Sequence, residues 1–195
     1  MNNFYAMLSR MKYINRWALM RNTYTENISE HSLEVAMLAH ALAIIGNKRL
    51  GKHLDADRAA VIALFHDATE IITGDMPTPI KYLNKDIKGV YKEIEAQAAN
   101  RLLDMLPEDL RGEYEEIFFP GKTDDEYLCK LVKAADKLSA LIKCIEEGKT
   151  ENHEFDSAGS TINKAIEEMD LPELNIFMKD FLPAYELTLD ELNRK

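Results

Sequence analysis

The sequence predicts an all-α fold, a compact helical domain over residues 1–195. Three observations predict it. Apolar residues recur at the 3.6-residue helical period along most of the chain, and alternating strand patterns are hard to find. Capping residues, glycines and prolines fall between the periodic stretches. A chain of 195 residues with 46% hydrophobic content can bury one sizeable core.

The first helix is expected over roughly Phe4 to Met20, followed by the polar segment RNTYTENIS. Ser29 is placed to cap a second helix running to about Ile45, with His31 in its first turns. Gly46 and the basic segment NKRLGK end it. Asp55 or Asp57 starts the next helix, which carries VIALFHDATEII and stops at Gly74. The segment GDMPTPIK reads as a loop, because Pro77 and Pro79 disfavour helix at the residues before them. A long amphipathic helix is expected from Ile80 or Lys85 to Leu106, and Pro107 starts a short one. Thr123 and Glu126 form a candidate capping box for the helix through LCKLVKAADKLSALIKCIEE, which Gly148 ends. GKTENHEFDSAGS reads as a surface loop. Two helices, Thr161–Met169 and Leu171–Asn193, complete the chain before a short tail.

Composition narrows the function. The net charge is −10, which argues against a groove for polymeric nucleic acid, since such binding leans on dense Lys/Arg contacts. A small anionic substrate needs only a local basic group or a metal. Cys129 and Cys144 lie too far apart along one helix to form a bridge, and two reduced thiols fit a cytoplasmic setting. The start carries charges where a signal peptide needs an unbroken apolar stretch. The longest apolar stretch, VAMLAHALAII, is interrupted by His40 and too short to span a bilayer, so no membrane is expected as a partner.

The chemistry concentrates in His31, the pair His66-Asp67, and Asp136, which interrupt otherwise apolar helical patterns. Imidazole nitrogens and carboxylates are the ligand set of a borderline divalent cation. Singly, each has a plain alternative: a capping histidine, a chance dipeptide, a carboxylate bonded to a helix end. Jointly, four polar groups on apolar helices point to a metal-dependent hydrolase, because a bound cation compensates several buried groups at once. Adjacent ligands on one helix point about 100° apart, so His66 and Asp67 reach one ion only beside the helix end or flank. Glu70 follows at i+4 and i+3 from them, on the same face. HExxH, a close cysteine pair, a P-loop and GxGxxG are all missing.

The order H…HD…D resembles the HD-domain superfamily of metal-dependent phosphohydrolases. The segments INRWALMRN, TENISEHSLEVAMLAHAL, FHDATEIITGDMPTPIKY and LVKAADKLSALIKCIEE resemble, more closely, the bacterial 5′-deoxynucleotidase family. The resemblance runs from about Phe4 to Glu191 and matches least around Gly148–Ser160. It implies an all-helical, homodimeric, cytoplasmic enzyme that removes phosphate from deoxyribonucleoside 5′-monophosphates with one divalent transition metal, commonly cobalt or manganese. By matching motif, His31, His66, Asp67 and Asp136 are the implied ligands and Glu70 the catalytic acid/base. Arg16 orients the phosphate, Trp17 lies by the sugar, and Asp75 with Met76, Pro77 and Thr78 lines the nucleotide site.

The residue types suit these roles. Glu70 can exchange a proton within hydrogen-bond reach. Arg16 offers a planar, permanently charged fork; its plain alternative is a surface salt bridge. Trp17, the only tryptophan, has the bulk to exclude a 2′-hydroxyl; its plain alternative is core packing. Asp75 can accept from a 3′-hydroxyl or simply cap the loop before Pro77. Two competing functions remain: an HD phosphohydrolase acting on cyclic or hyperphosphorylated nucleotides, and a non-catalytic helical module that binds nucleotides or a protein partner.

Overall fold

The computed structural model describes residues 2–77, 80, 84–121 and 125–194. Among them the regular elements are helical; an isolated antiparallel bridge, Asn15 to Asn27, is the sole β-type pairing. The expected fold class therefore holds. In chain order the helices are α1 (Phe4–Leu8), α2 (Ile28–Arg49), α3 (Ala56–Phe65), α4 (Glu70–Thr73), α5 (Lys85–Leu103), α6 (Glu108–Phe118), α7 (Asp125–Lys149), α8 (Asp156–Glu167), α9 (Pro172–Asp180) and α10 (Leu189–Leu192). Single 3₁₀ turns follow α1 (Ser9–Tyr13), precede α8 (His153–Phe155) and follow α9 (Leu182–Glu186).

The core lies where α2 crosses α3 and α7. Val35, Ala39 and Leu42 of α2 meet Ala59, Ile62 and Ala63 of α3 and Leu131, Ala135 and Leu138 of α7. Leu174 and Phe177 of α9 close the far side. A smaller aromatic cluster joins Phe4 to Phe65, Tyr114 and Phe118. By length and hydropathy α2 is apolar enough to cross a membrane; here it is the central core helix.

Several expected boundaries move. The first helix stops at Leu8, its 3₁₀ extension stops at Tyr13, and the chain then runs irregularly to Asn27. The cause is tertiary: Arg16 N–H donates to the Glu26 carbonyl at 2.9 Å and Ile28 N–H to the Ile14 carbonyl at 2.9 Å, which diverts backbone groups that a helix would use. Asn27, not Ser29, caps α2. Its Oδ1 accepts from Ser29 N–H and Glu30 N–H at 3.0 and 3.1 Å, and Glu30 returns a bond to Asn27 N–H at 3.2 Å.

Gly46 does not end α2, which continues to Arg49. A Cβ on Gly46 would come within 2.8 Å of Glu173 Oε1 and 2.9 Å of Leu54 Cδ1, so the glycine lets α9 approach. Asp55 caps α3 as expected, accepting from Arg58 N–H at 2.8 Å. Gly74 ends α4 with a left-handed φ of 73°. α5 ends at Leu103 rather than Leu106. The stretch read as a loop after Gly148 instead buries Phe155 and begins α8 at Asp156. The expected last helix breaks into α9, a 3₁₀ turn at Pro183 and α10. Pro79 and Thr123 lie outside the described residues.

Candidate active site and metal centre

Four segments converge. His31 sits in the second turn of α2, and His66 and Asp67 occupy the turn after α3, not the helix itself. Glu70 opens α4, buried, with its N–H donating to the Asp67 carbonyl at 3.0 Å. Asp136 comes from the middle of α7. Because α3 ends at Phe65, His66 and Asp67 sit beside the helix end, where two adjacent side chains can face one point.

Donor atoms of His31, His66 and Asp67 lie within 4.8 Å of one another. His31 Nε2 is 3.4 Å from Asp67 Oδ2 and 3.2 Å from Asp136 Oδ1. His66 Nε2 is 3.2 Å from Asp67 Oδ2. Both Nε2 atoms are buried without an aligned hydrogen-bond partner, an arrangement that is costly unless something else satisfies them. His66 Nδ1–H donates to the Ala63 carbonyl at 2.7 Å, which leaves the Nε2 lone pair facing the cluster. His31 Nδ1 meets Ser139 Oγ at 3.0 Å, and Ser139 in turn donates to Glu34 Oε2 at 2.6 Å. With its hydrogen on Nδ1, His31 donates to Ser139 and frees Nε2 for ligation; with its hydrogen on Nε2, Nδ1 accepts from Arg16 Nη1 at 2.9 Å.

The electrostatics fit a cation at this point. Burial disfavours the charged form of His66, yet Asp67 and Asp136 outweigh it and raise the ring to about 9. Burial pushes Asp67 and Asp136 up, but the imidazoles pull both below the usual carboxylate range. The cluster thus favours positive charge, which two imidazoles and two carboxylates can supply by holding a divalent metal.

Arg16 and Trp17 reach the centre from the irregular segment between α1 and α2. Arg16 Nη2 lies 3.9 Å from Asp136 Oδ1, while Nη1 donates to both oxygens of Glu26 at 3.1 and 3.2 Å. Trp17 Nε1 donates to Glu26 Oε2 at 2.9 Å, and its ring packs edge-on against Phe155 with centroids 5.3 Å apart. Asp75 faces the same corner: burial raises its carboxyl, opposed by the Arg16 charge and a hydrogen bond from the Trp17 backbone. Met76 and Pro77 follow it, half-buried. Thr78 lies outside the described residues.

A family model described as 5′-deoxynucleotidase YfbR-like matches residues 3–185. The chain belongs to this family. A 5′-deoxynucleotidase of Shewanella oneidensis is 47% identical over 100% of this chain and 99% of its own length. That of Vibrio cholerae is 48% identical over 98% of each. Two solved HD-domain folds superpose well. A Listeria innocua HD-domain phosphohydrolase covers 94% of this chain and 88% of its own, with a TM-score of 0.79 and 20% identity. The cyanophage S-2L HD phosphohydrolase DatZ, bound to dA and one catalytic Zn²⁺, covers 94% of this chain and 96% of its own, with a TM-score of 0.67 and 23% identity. At such identities they establish the shared fold.

Sequence alone assigned no functional role to four residues of this neighbourhood: Glu26, Glu34, Ser139 and Phe155. Glu26 sat in a segment read only as polar, although a carboxylate just before a helix cap is a usable signal. Ser139, three residues beyond Asp136, shares its face. Phe155 is buried, and nothing periodic around it announces that.

Proposed function

We propose that this chain is a metal-dependent 5′-deoxynucleotidase, hydrolysing deoxyribonucleoside 5′-monophosphates to deoxyribonucleosides and phosphate. The observation that carries the reading is the convergence of the unpartnered His31 and His66 Nε2 atoms on the Asp67 and Asp136 carboxylates, in a chain of this family. His31, His66, Asp67 and Asp136 would hold one divalent transition metal. Cobalt or manganese suits a set of two nitrogens and two oxygens. When bound, the metal supplies positive charge for the phosphoryl oxygens and acidifies a water.

The chain's own residues do the rest. Glu70 accepts the proton of the attacking water and returns one to the departing 5′-oxygen. Arg16, through Nη2, binds and orients the phosphate. The Trp17 indole fills the space a 2′-hydroxyl needs, and Asp75 accepts from the 3′-hydroxyl. Met76, Pro77 and Thr78 line the nucleotide beside it. Water enters, the bond between phosphorus and O5′ breaks, and the nucleoside leaves with its hydroxyl restored.

The chain acts as a single HD domain, in a cytoplasmic setting that suits the free thiols of Cys129 and Cys144. A homodimer fits the exposed apolar stripe of Leu33, Met37 and Ile44 along α2, with Leu64 of α3. The test is phosphate release from matched deoxyribo- and ribonucleoside 5′-monophosphates with cobalt, manganese and zinc. Faster release from every deoxy member supports the reading. Turnover confined to cyclic or polyphosphorylated nucleotides would replace it.

A further inference from the structure

Glu26 is a heavily engaged side chain beside the candidate metal centre and lies outside the proposed ligand set. Its side chain is 9% exposed. Oε2 accepts from Arg16 Nη1 at 3.1 Å and from Trp17 Nε1 at 2.9 Å. Oε1 accepts from Arg16 Nη1 at 3.2 Å and lies 3.6 Å from His31 Nδ1. Its backbone carbonyl takes the Arg16 N–H at 2.9 Å. We infer that Glu26 is the positioning residue for substrate recognition, one buried carboxylate that sets the Arg16 guanidinium and the Trp17 indole together. The inference rests on the substrate reading above.

The geometry separates the two arms of Arg16. Nη1 is committed to Glu26, whereas Nη2 points toward Asp136, the side from which a phosphate would approach. Glu26 is the charged partner of Nη1; the other contact of that arm, His31 Nδ1 at 2.9 Å, accepts only when the ring carries its hydrogen on Nε2. Trp17 has a left-handed backbone, with φ at 59°, which bulky residues keep only when the surroundings over-determine it. The backbone is held by its carbonyl, which accepts from Met20 N–H at 2.9 Å and Asn22 Nδ2 at 3.2 Å, and the indole by the Glu26 bond at one edge and Phe155 on its flank. The segment itself is anchored independently: Glu147 accepts from Thr23 N–H at 3.0 Å, and Lys143 Nζ donates to the Tyr24 carbonyl at 2.9 Å. Loss of Glu26 therefore releases the two side chains more than the segment that carries them.

Two variants separate positioning from simple structural pairing. Glu26→Gln keeps the shape and an oxygen that can accept from Trp17, but removes the charge Arg16 leans on. It should raise KM for dAMP by about tenfold or more, lower kcat less, and keep the dAMP-to-AMP ratio of kcat/KM near that of the wild type. Glu26→Ala should raise KM as well and also drive that ratio toward one. Trp17 is the only tryptophan, so its fluorescence reports the indole directly. Glu26→Ala should shift emission to the red and lower its anisotropy, while Glu26→Gln should leave both near wild type. A folded, metal-loaded Glu26→Gln protein with KM within twofold of wild type overturns the inference, whether or not Glu26→Ala folds. If the wild type fails to hydrolyse dAMP, the substrate reading falls by itself. Trp17 emission then still decides: an unchanged spectrum in Glu26→Ala overturns the positioning role, and a red shift supports it.

Discussion

His31 Nε2 lies 3.2 Å from Asp136 Oδ1, a link that joins the start of α2 to the middle of α7. Together with Asp67 it ties three separate segments to one point. A metal held there binds the folded chain and not the unfolded one, so it must stabilise the fold. At a hundredfold excess over Kd the gain is about 2.7 kcal/mol, or roughly 5–10 °C in Tm for a chain of this size. Thermal melts with chelator and with manganese or cobalt should differ by about that amount. Asp136→Ala should lose most of the difference. An equal increment in both proteins would remove Asp136 from the ligand set.

Glu70 opens α4 one short turn beyond Asp67. Glu70→Ala should retain bound metal and lose about 10²–10⁴-fold in kcat, the usual worth of a positioned acid/base. Single-turnover phosphate release with metal content measured on the same sample checks this. A rate within about threefold of wild type, well under the tenfold that 1.4 kcal/mol represents, would exclude Glu70 from proton transfer.

The anchor beneath the Arg16–Trp17 segment has its own pH signature. Glu147 is fully buried and accepts from Lys143 Nζ at 2.5 Å, from Thr23 N–H at 3.0 Å and from Asn152 Nδ2 at 2.7 Å. Burial raises its pKa, but these donors outweigh it and hold it at about 2, below the ordinary 4.5. A depressed carboxylate contributes stability that is fully present above its unfolded pKa and is lost as pH falls through the folded one. The wild type should therefore lose stability between about pH 4.5 and 2. Glu147→Gln should flatten that part of the profile and cost roughly 3–5 kcal/mol at neutral pH, because the buried Lys143 ammonium loses its charged partner and keeps the neutral Tyr24 carbonyl and ring. Urea unfolding at several pH values checks both; a parallel profile in the variant would contradict the assignment.

Legibility in the sequence followed the physics of each position. The α2, α3 and α7 stripes were plain because burial on one face imposes a 3.6-residue period, and the candidate ligand residues stood out against them as polar interruptions. The Arg16–Trp17 segment was misread as helix because its conformation is set by distant partners, Glu26 and Ile28, which local propensity does not encode. Gly46 was misread as a stop because a glycine that ends a helix and one that admits a neighbour look alike in one sequence. Phe155 was hidden in a largely polar stretch whose one large apolar member packs on Trp17.

In the proposed function one metal, held by His31, His66, Asp67 and Asp136, would serve hydrolysis of deoxyribonucleoside monophosphates. The measurement that reaches it most directly pairs bound metal with phosphate release from dAMP in wild type and Asp67→Ala. Both proteins are stripped with chelator and reloaded with manganese or cobalt. The wild type should regain about one metal per chain and its activity, whereas folded Asp67→Ala should regain neither. Full metal content and full turnover in Asp67→Ala would contradict it.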